Sequence, residues 1–282
     1  MKSNRVCRFD IFYDTIGKMI RIQRQAKILQ LLRERESVEN SDLARVFGVT
    51  LATIRRDLTT LASQGIIRID HGGAALASSA SVYDEPHYET KVFVNREAKQ
   101  AIGAAAAALV RSGDAVILDS GTTNAAIARS LRTTHPKHLT VITCDLMVAK
   151  ELCSEQTIDV IVLGGLVRKS YYSTNGAYTE AILGNLHADK LFLGIDGANM
   201  EHGITNIVLE EVPIKRLQIE ISDQVILVAD SSKFDKAALH RVCGWSSIDQ
   251  VITDDCLRQE YTAFFAEHNI PVVRVNPCTT EM

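Results

Sequence analysis

Residues 50–76 read TLATIRRDLTTLASQGIIRIDHGGAAL, and few folds accommodate such a run. Thr50 stands where its hydroxyl can accept from the unpaired N–H groups of a helix's first turn. Beyond it, Leu51, Ile54, Leu58 and Leu61 recur at intervals of three and four and form one apolar face. Thr53, Arg55, Arg56 and Thr60 occupy the opposite face. Gly65 breaks the helix, Ile66, Ile67 and Ile69 favour a strand, and His71-Gly72-Gly73 turns the chain back. A helix followed by a β-ribbon in this order is the layout of a recognition helix laid in the DNA major groove, with a wing reaching the phosphates.

The residues upstream complete the arrangement. Ile22, Ala26, Leu29 and Leu32 space a first helix over 21–33, and Ser37-Val38 reads as a connector. A second helix is expected over 40–47, turning Leu43, Val46 and Phe47 inward, with Gly48 ending it in the left-handed conformation. Two helices separated this tightly must cross steeply, as in a helix-turn-helix. Arg55 and Arg56 then fall in the first two turns of the second helix of the motif. There an arginine can bridge guanine N7 and O6, and Thr50 or Thr53 can meet bases or phosphates. Arg68 and His71 sit on the wing, and Asp57 is placed to orient Arg21, Arg24 or a neighbouring arginine.

Charge separates along the chain although the net is only -3. Residues 19–76 hold nine Lys/Arg against six Asp/Glu, whereas everything from Ala77 onward holds 18 against 26. A basic small module joined to an acidic larger one suits a nucleic-acid binder tied to a domain that need not touch DNA. No apolar run approaches about 18 residues, so no membrane span is expected, and the first 18 residues lack a secretory pattern, which places the protein in the cytoplasm. The six cysteines form no C-x-x-C pair; neither a structural metal nor a dithiol site is indicated, and no cofactor is called for.

Ala77 to Pro86 is small and polar and ends in proline, which sets a linker over 77–90. After an alanine-rich helix near 95–110, seven apolar runs alternate with helical stretches: 115–118, 139–143, 160–163, 190–194, 225–229, 250–253 and 271–275. Strands this apolar are covered on both faces, so the expectation over 91–282 is an α/β domain with a mostly parallel sheet. The turn Asp119-Ser120-Gly121-Thr122-Thr123-Asn124 follows the first run and opens a helix. A helix N-terminus with hydroxyls around it is an anion site. Thr143-Cys144-Asp145, Gly164-Gly165, Gly194 to Ala198 and Asp230 to Phe234 close other strands, at the end of an open sheet where ligands sit. Lys233 supplies a cation there for a phosphate.

The run Val49-Thr50, Thr53-Ile54-Arg55-Arg56-Asp57-Leu58, Gly65 and His71-Gly72-Gly73-Ala74 resembles the DeoR family of bacterial transcription regulators. Thr50 stands where that family usually has serine. The resemblance implies a winged helix-turn-helix over 19–76 and an effector-sensing domain over 91–282 similar to ribose-5-phosphate isomerase. Residues 1–18 have no counterpart in that plan and read as a disordered arm, or as residues ahead of a start at Met19. By the same resemblance Gly121, Thr122 and Thr123 hold the phosphate of a sugar, Asp119, Asp196 and Lys233 line the pocket, and Lys215 comes close. Cys144-Asp145 departs from the Thr-Asn pattern usual at that point.

The implied function is repression of a carbohydrate operon, relieved by a phosphorylated sugar. The implied partners are double-stranded operator DNA and further copies of the chain, as a dimer or tetramer. The alternative is a sugar-phosphate isomerase carrying a DNA-binding domain. Related isomerases have an Asp-Gly-Ala-Asp-Glu run, whereas here Asp196-Gly197-Ala198 continues into Asn199-Met200, so both later carboxylates are missing. Replacing Arg55 or Arg56 with alanine is expected to cost on the order of 1–3 kcal/mol of discrimination between operator and random DNA. Competition gel shifts measure this; an equal loss on both DNAs assigns the arginine to phosphate instead.

Overall fold

The computed structural model describes residues 20–35, 37–63, 67–70, 72–76 and 87–277. The 1–18 arm, Gly65, Ile66, His71 and residues 77–86 of the expected linker lie outside the described residues. The chain parts into two compact units near residues 77/78.

In the first unit, α1 (Arg21–Arg35), β1 (Ser37–Glu39), α2 (Asn40–Phe47), α3 (Leu51–Ser63), β2 (Ile67–Asp70) and β3 (Gly73–Leu76) follow in order. Ile28, Leu29, Leu32, Leu43, Ile54, Leu58 and Leu61 make its core. Gly48 adopts φ 61°, and its N–H returns to the carbonyls of Ala44 and Arg45, which stops α2. Thr50 Oγ1 accepts from Thr53 N at 3.3 Å and so starts α3. Two expectations need correction. Ser37 to Glu39 is a strand rather than a connector, pairing antiparallel with β3 to give a sheet ordered β1-β3-β2. Three residues are too few to show a period, and the pairing is non-local. Gly73 permits it, because a Cβ there would lie 2.5 Å from the Val38 carbonyl oxygen. Ile22, Val46 and Leu51 are exposed rather than inward, since two of them stand in the first turn of their helices and Val46 lies off the stripe that Leu43 and Phe47 share.

Asp57 is buried in α3 and ties the helices together. Its carboxylate accepts from Arg24 Nε at 2.5 Å and lies 3.6 Å from Arg21 Nε, with Gln25 Nε2 at 3.5 Å. The exposed face of α3 is thereby fixed in rotation relative to α1.

The second unit opens with α4 (Tyr88–Lys91) and α5 (Arg96–Ala107). Tyr88 and Thr90 are buried, so part of the stretch expected as linker belongs to this unit. There follow β4 (Ala115–Leu118), α6 (Thr122–Thr134), β5 (Leu139–Thr143), α7 (Leu146–Leu152), β6 (Ile158–Val162), β7 (Leu166–Arg168), β8 (Ser173–Asn175), α8 (Ala177–Leu183), β9 (Lys190–Leu193), β10 (Gly197–Asn199), β11 (Gly203–Asn206), α9 (Val212–Glu220), β12 (Val225–Val228), β13 (His240–Cys243), β14 (Gln250–Asp254), α10 (Gln259–Glu267) and β15 (Val272–Val275). Seven strands form one parallel sheet ordered β15-β14-β12-β9-β4-β5-β6. They are the seven apolar runs of the sequence, and two apolar layers cover them. Two small antiparallel sheets, β7-β8 and β10-β11-β13, were not foreseen; each of their strands has only three or four residues, too few to show a period.

Strand order decides where a ligand can sit. From β4 the chain winds outward through β5 and β6, then crosses back to β9 on the other side of β4 and winds away. Loops leaving the carboxyl ends of β4 and β9 therefore diverge, and a crevice opens between them. Alanine-rich α5 lies tightly on α6, since a Cβ on Gly103 would come within 2.7 Å of the Ala126 backbone. That contact fixes α6 with its N-terminus at the crevice.

Asp57→Ala strips the buried Arg24 guanidinium of its carboxylate and is expected to destabilise the first unit by about 3–5 kcal/mol. Urea unfolding followed by circular dichroism tests this. A cost below about 1 kcal/mol would mean that the pair does not hold α1 to α3.

Candidate functional site

The cleft at the switch point is built on the turn from β4 into α6. Gly121 is the residue before the helix, at φ 125°, and no side chain caps the helix. The first N–H groups of a helix lack intrahelical partners and carry partial positive charge, so this end favours an anion. Gly121, Thr122 and Thr123 line the cleft, with Ser120 and Asn124 beside them. Asp145 lies behind the turn. Its Oδ2 accepts from Gly121 N at 2.8 Å, while Oδ1 accepts from Met147 N and Val148 N and caps α7. The departure at Cys144-Asp145 thus places a carboxylate under the loop rather than in the cleft.

Lys215 comes from α9, and its ammonium donates to Asp119 and, at 3.0 Å, to the Gly194 carbonyl. Asp119 also accepts from Gly194 N at 3.1 Å. Asp119 is buried and its carboxylate is committed to this junction, so it stands beneath the cleft rather than among its lining residues. Burial works against the charged form of Lys215, yet the carboxylates of Asp119 and Glu211 push its pKa above the ordinary lysine value.

Asp196 and Lys233 also line the cleft. Lys233 Nζ and Lys91 Nζ each stand 3.9 Å from Asp196 Oδ1, and Ile207 N donates to Oδ2 at 3.0 Å. Burial opposes the Asp196 carboxylate, but the two ammonium groups outweigh it and hold the carboxyl below its usual range. Asp230 is likewise held low against its burial by Lys99 and Lys233, and Asn95 Nδ2 donates to it at 2.7 Å.

Several lining residues escaped the sequence reading. Lys91, Lys99, Arg168, Tyr171, Asn206 and Glu211 come from α4, α5, the β7-β8 hairpin, β11 and the entry to α9. Arg168 pairs with Glu211 at 2.9 Å and lies 3.7 Å over the Tyr171 ring. Glu211 also accepts from Asn206 Nδ2 at 3.0 Å. The hairpin is pinned to α4 by Tyr88 N donating to the Ser170 carbonyl at 3.0 Å and by Tyr172 Oη donating to Glu89 at 2.7 Å. Only tertiary pairing collects these groups. Gly164-Gly165, singled out in the sequence, packs against Ile182, Thr179 and Asn175 and does not line the cleft.

On the first unit, Arg55 and Arg56 are exposed on α3. Thr50 and Thr53 bond to each other through their hydroxyls at 3.0 Å at its start. Arg68 is exposed on β2, with Nε 3.3 Å from Asp70, and His71 lies outside the described residues. Among the described residues, no helix is long and apolar enough to cross a membrane.

Residues 24–80 match a DeoR-like helix-turn-helix domain and residues 94–255 match the DeoR C terminal sensor domain. A protein of Escherichia coli O157:H7 named for repressing the aga operon is 37% identical over 83% of this chain and 86% of its own. The HTH-type transcriptional regulator GolR of Listeria innocua is 32% identical over 90% of this chain and 98% of its own. The glycerol-3-phosphate regulon repressor of Escherichia coli K12 is 33% identical over 84% and 92%. Among solved structures, ribose 5-phosphate isomerase A of Methanocaldococcus jannaschii covers 50% of this chain and 55% of its own at 16% identity, with a TM-score of 0.37.

Burial raises the Asp145 carboxyl to about 6, although the N–H groups of Gly121, Met147 and Val148 favour its charged form. With the folded value above the unfolded 3.8, the contribution of Asp145 to stability is complete below pH 3.8 and is lost as the pH rises through about 6. That gap corresponds to a ceiling of about 3 kcal/mol. The advantage of wild type over Asp145→Asn in urea unfolding should therefore shrink between pH 4 and pH 7. An advantage that stays flat or grows with pH contradicts this.

Proposed function

The chain belongs to the DeoR family of transcriptional regulators, and on that premise we propose that it represses a carbohydrate operon and leaves its operator when a phosphorylated sugar occupies the cleft. The observation that carries the reading is the uncapped N-terminus of α6, opening at the switch point of the sheet and ringed by Lys91, Lys99, Lys215 and Lys233. A phosphate monoester brings close to two negative charges and several acceptor oxygens, which is what unpaired helix N–H groups and ammonium groups take. In this reading Gly121, Thr122 and Thr123 hold the phosphate, Lys233 and Lys215 balance its charge, Asp119 positions Lys215, and Asp196 faces the sugar. Arg55 and Arg56 read bases, with Thr50, Thr53, Arg68 and His71 on the backbone around them. The regulator works as a dimer or larger, since two-fold operators engage two recognition helices.

Regulation follows from linkage. If the cleft is filled in one arrangement of the chain and the operator is bound in another, each ligand weakens the other by the same factor. The names of the relatives, a repressor of the aga operon and one of the glycerol-3-phosphate regulon, support the carbohydrate setting.

Isomerisation is the weaker reading. A carbon-acid base needs a carboxyl poised near the working pH. Asp196 is instead held low between Lys91 and Lys233, and Asn199 and Met200 bring no second carboxylate. The arrangement suits holding an anion rather than moving a proton.

A thermal-shift screen of pentose and hexose phosphates against the full chain is expected to show stabilisation by a phosphate ester and not by its free sugar. Thr122→Ala and Lys233→Ala should each abolish ester-triggered release of operator DNA while leaving operator affinity within about twofold. Induction that survives both substitutions removes the cleft from the mechanism.

A further inference from the structure

Asn124 is the third residue of α6, lines the cleft and has no exposed surface, yet neither its amide nitrogen nor its carbonyl oxygen has a hydrogen-bond partner. Buried amides are almost always paired, and an unpaired one is costly. Its neighbours offer no internal solution. A side chain at this helix position can reach back to the N–H before the helix, but the Gly121 N–H already donates to Asp145 at 2.8 Å. On the other side stands Gly194, whose missing Cβ would lie 3.3 Å from Asn124 Nδ2. Gln218 and Thr253 also hold unpartnered buried atoms, but neither lines the cleft.

We propose that Asn124 is the specificity residue of this site, reading a sugar hydroxyl next to the phosphate ester. The inference rests on the sugar-phosphate reading above. A phosphate dianion only accepts, so it satisfies the Asn124 nitrogen and leaves the oxygen orphaned. A hydroxyl both donates and accepts, and two vicinal hydroxyls satisfy the whole amide at once. The residue therefore selects polyhydroxylated phosphate esters over inorganic phosphate or a simple alkyl phosphate. A site built to pair with a substrate hydroxyl rejects analogues that lack one, because its own polar groups are then left unpaired.

The test compares full-length wild type with Asn124→Ala and Asn124→Leu by thermal shift. The probes are inorganic phosphate, ethyl phosphate and the panel of pentose and hexose phosphates. In wild type at least one sugar phosphate should bind about tenfold or more tightly than inorganic phosphate. Both variants should lose that preference, their loss of affinity for the sugar phosphate exceeding their loss for inorganic phosphate by about tenfold. Without ligand, Asn124→Leu should melt at or above the wild-type temperature, since it removes orphaned polar atoms; a purely structural asparagine would lower the melt instead. The inference is overturned if sugar phosphates and inorganic phosphate lose affinity equally, if neither loses any, or if unliganded Asn124→Leu melts lower than wild type. If no phosphate ester stabilises wild type, the functional reading fails and takes this inference with it. If esters bind wild type and both variants alike, only the role of Asn124 falls.

Discussion

The tie between Asp119, Lys215 and Gly194 is the constraint around which the second unit is arranged. Asp119 ends β4, Gly194 follows β9 and Lys215 projects from α9, so one buried junction fixes three elements where the sheet reverses its winding. The junction is fully enclosed, and desolvating two charges offsets most of their attraction. Its value lies in geometry more than in stability. Removing either partner would leave a buried charge without its counterpart, so alternative registers of the two strand ends are heavily penalised.

Lysines and two carboxylates, Asp196 and Glu211, line the cleft, and three more carboxylates stand behind it. Asp119, Asp145 and Asp230 are buried and already accept hydrogen bonds from within the chain. The Asp119 charge holds Lys215, and the Asp230 charge favours the ammonium groups of Lys99 and Lys233. An anion that enters meets groups already oriented, so little reorganisation opposes binding. Asp196, which does line the cleft, is held charged between Lys91 and Lys233, and this disfavours proton transfer by it.

The sequence was legible wherever burial imposes a pattern along the chain itself. The strand at Val225–Val228 is covered on both faces and is therefore apolar at every position, and the other runs of the large sheet stand out for the same reason. Helix α3 declared itself by the spacing of Ile54, Leu58 and Leu61, and Gly48 by the turn that only a residue at ease with positive φ allows. What escaped is what depends on distant partners. Strand β1 exists because β3 lies beside it, and Lys91, Arg168 and Glu211 have no local context that brings them together. Asn124 lay inside a turn that had been singled out, but as one more polar residue at a helix start. Its significance is the absence of a partner, which no string of letters displays.

Tyr88 and Lys91 form part of the cleft wall and belong to the first helical turn after the segment that joins the two units. The cleft thus shares its wall with the residues at which the described part of the second unit begins. A group that occupies the cleft therefore meets the first described residues of the second unit directly.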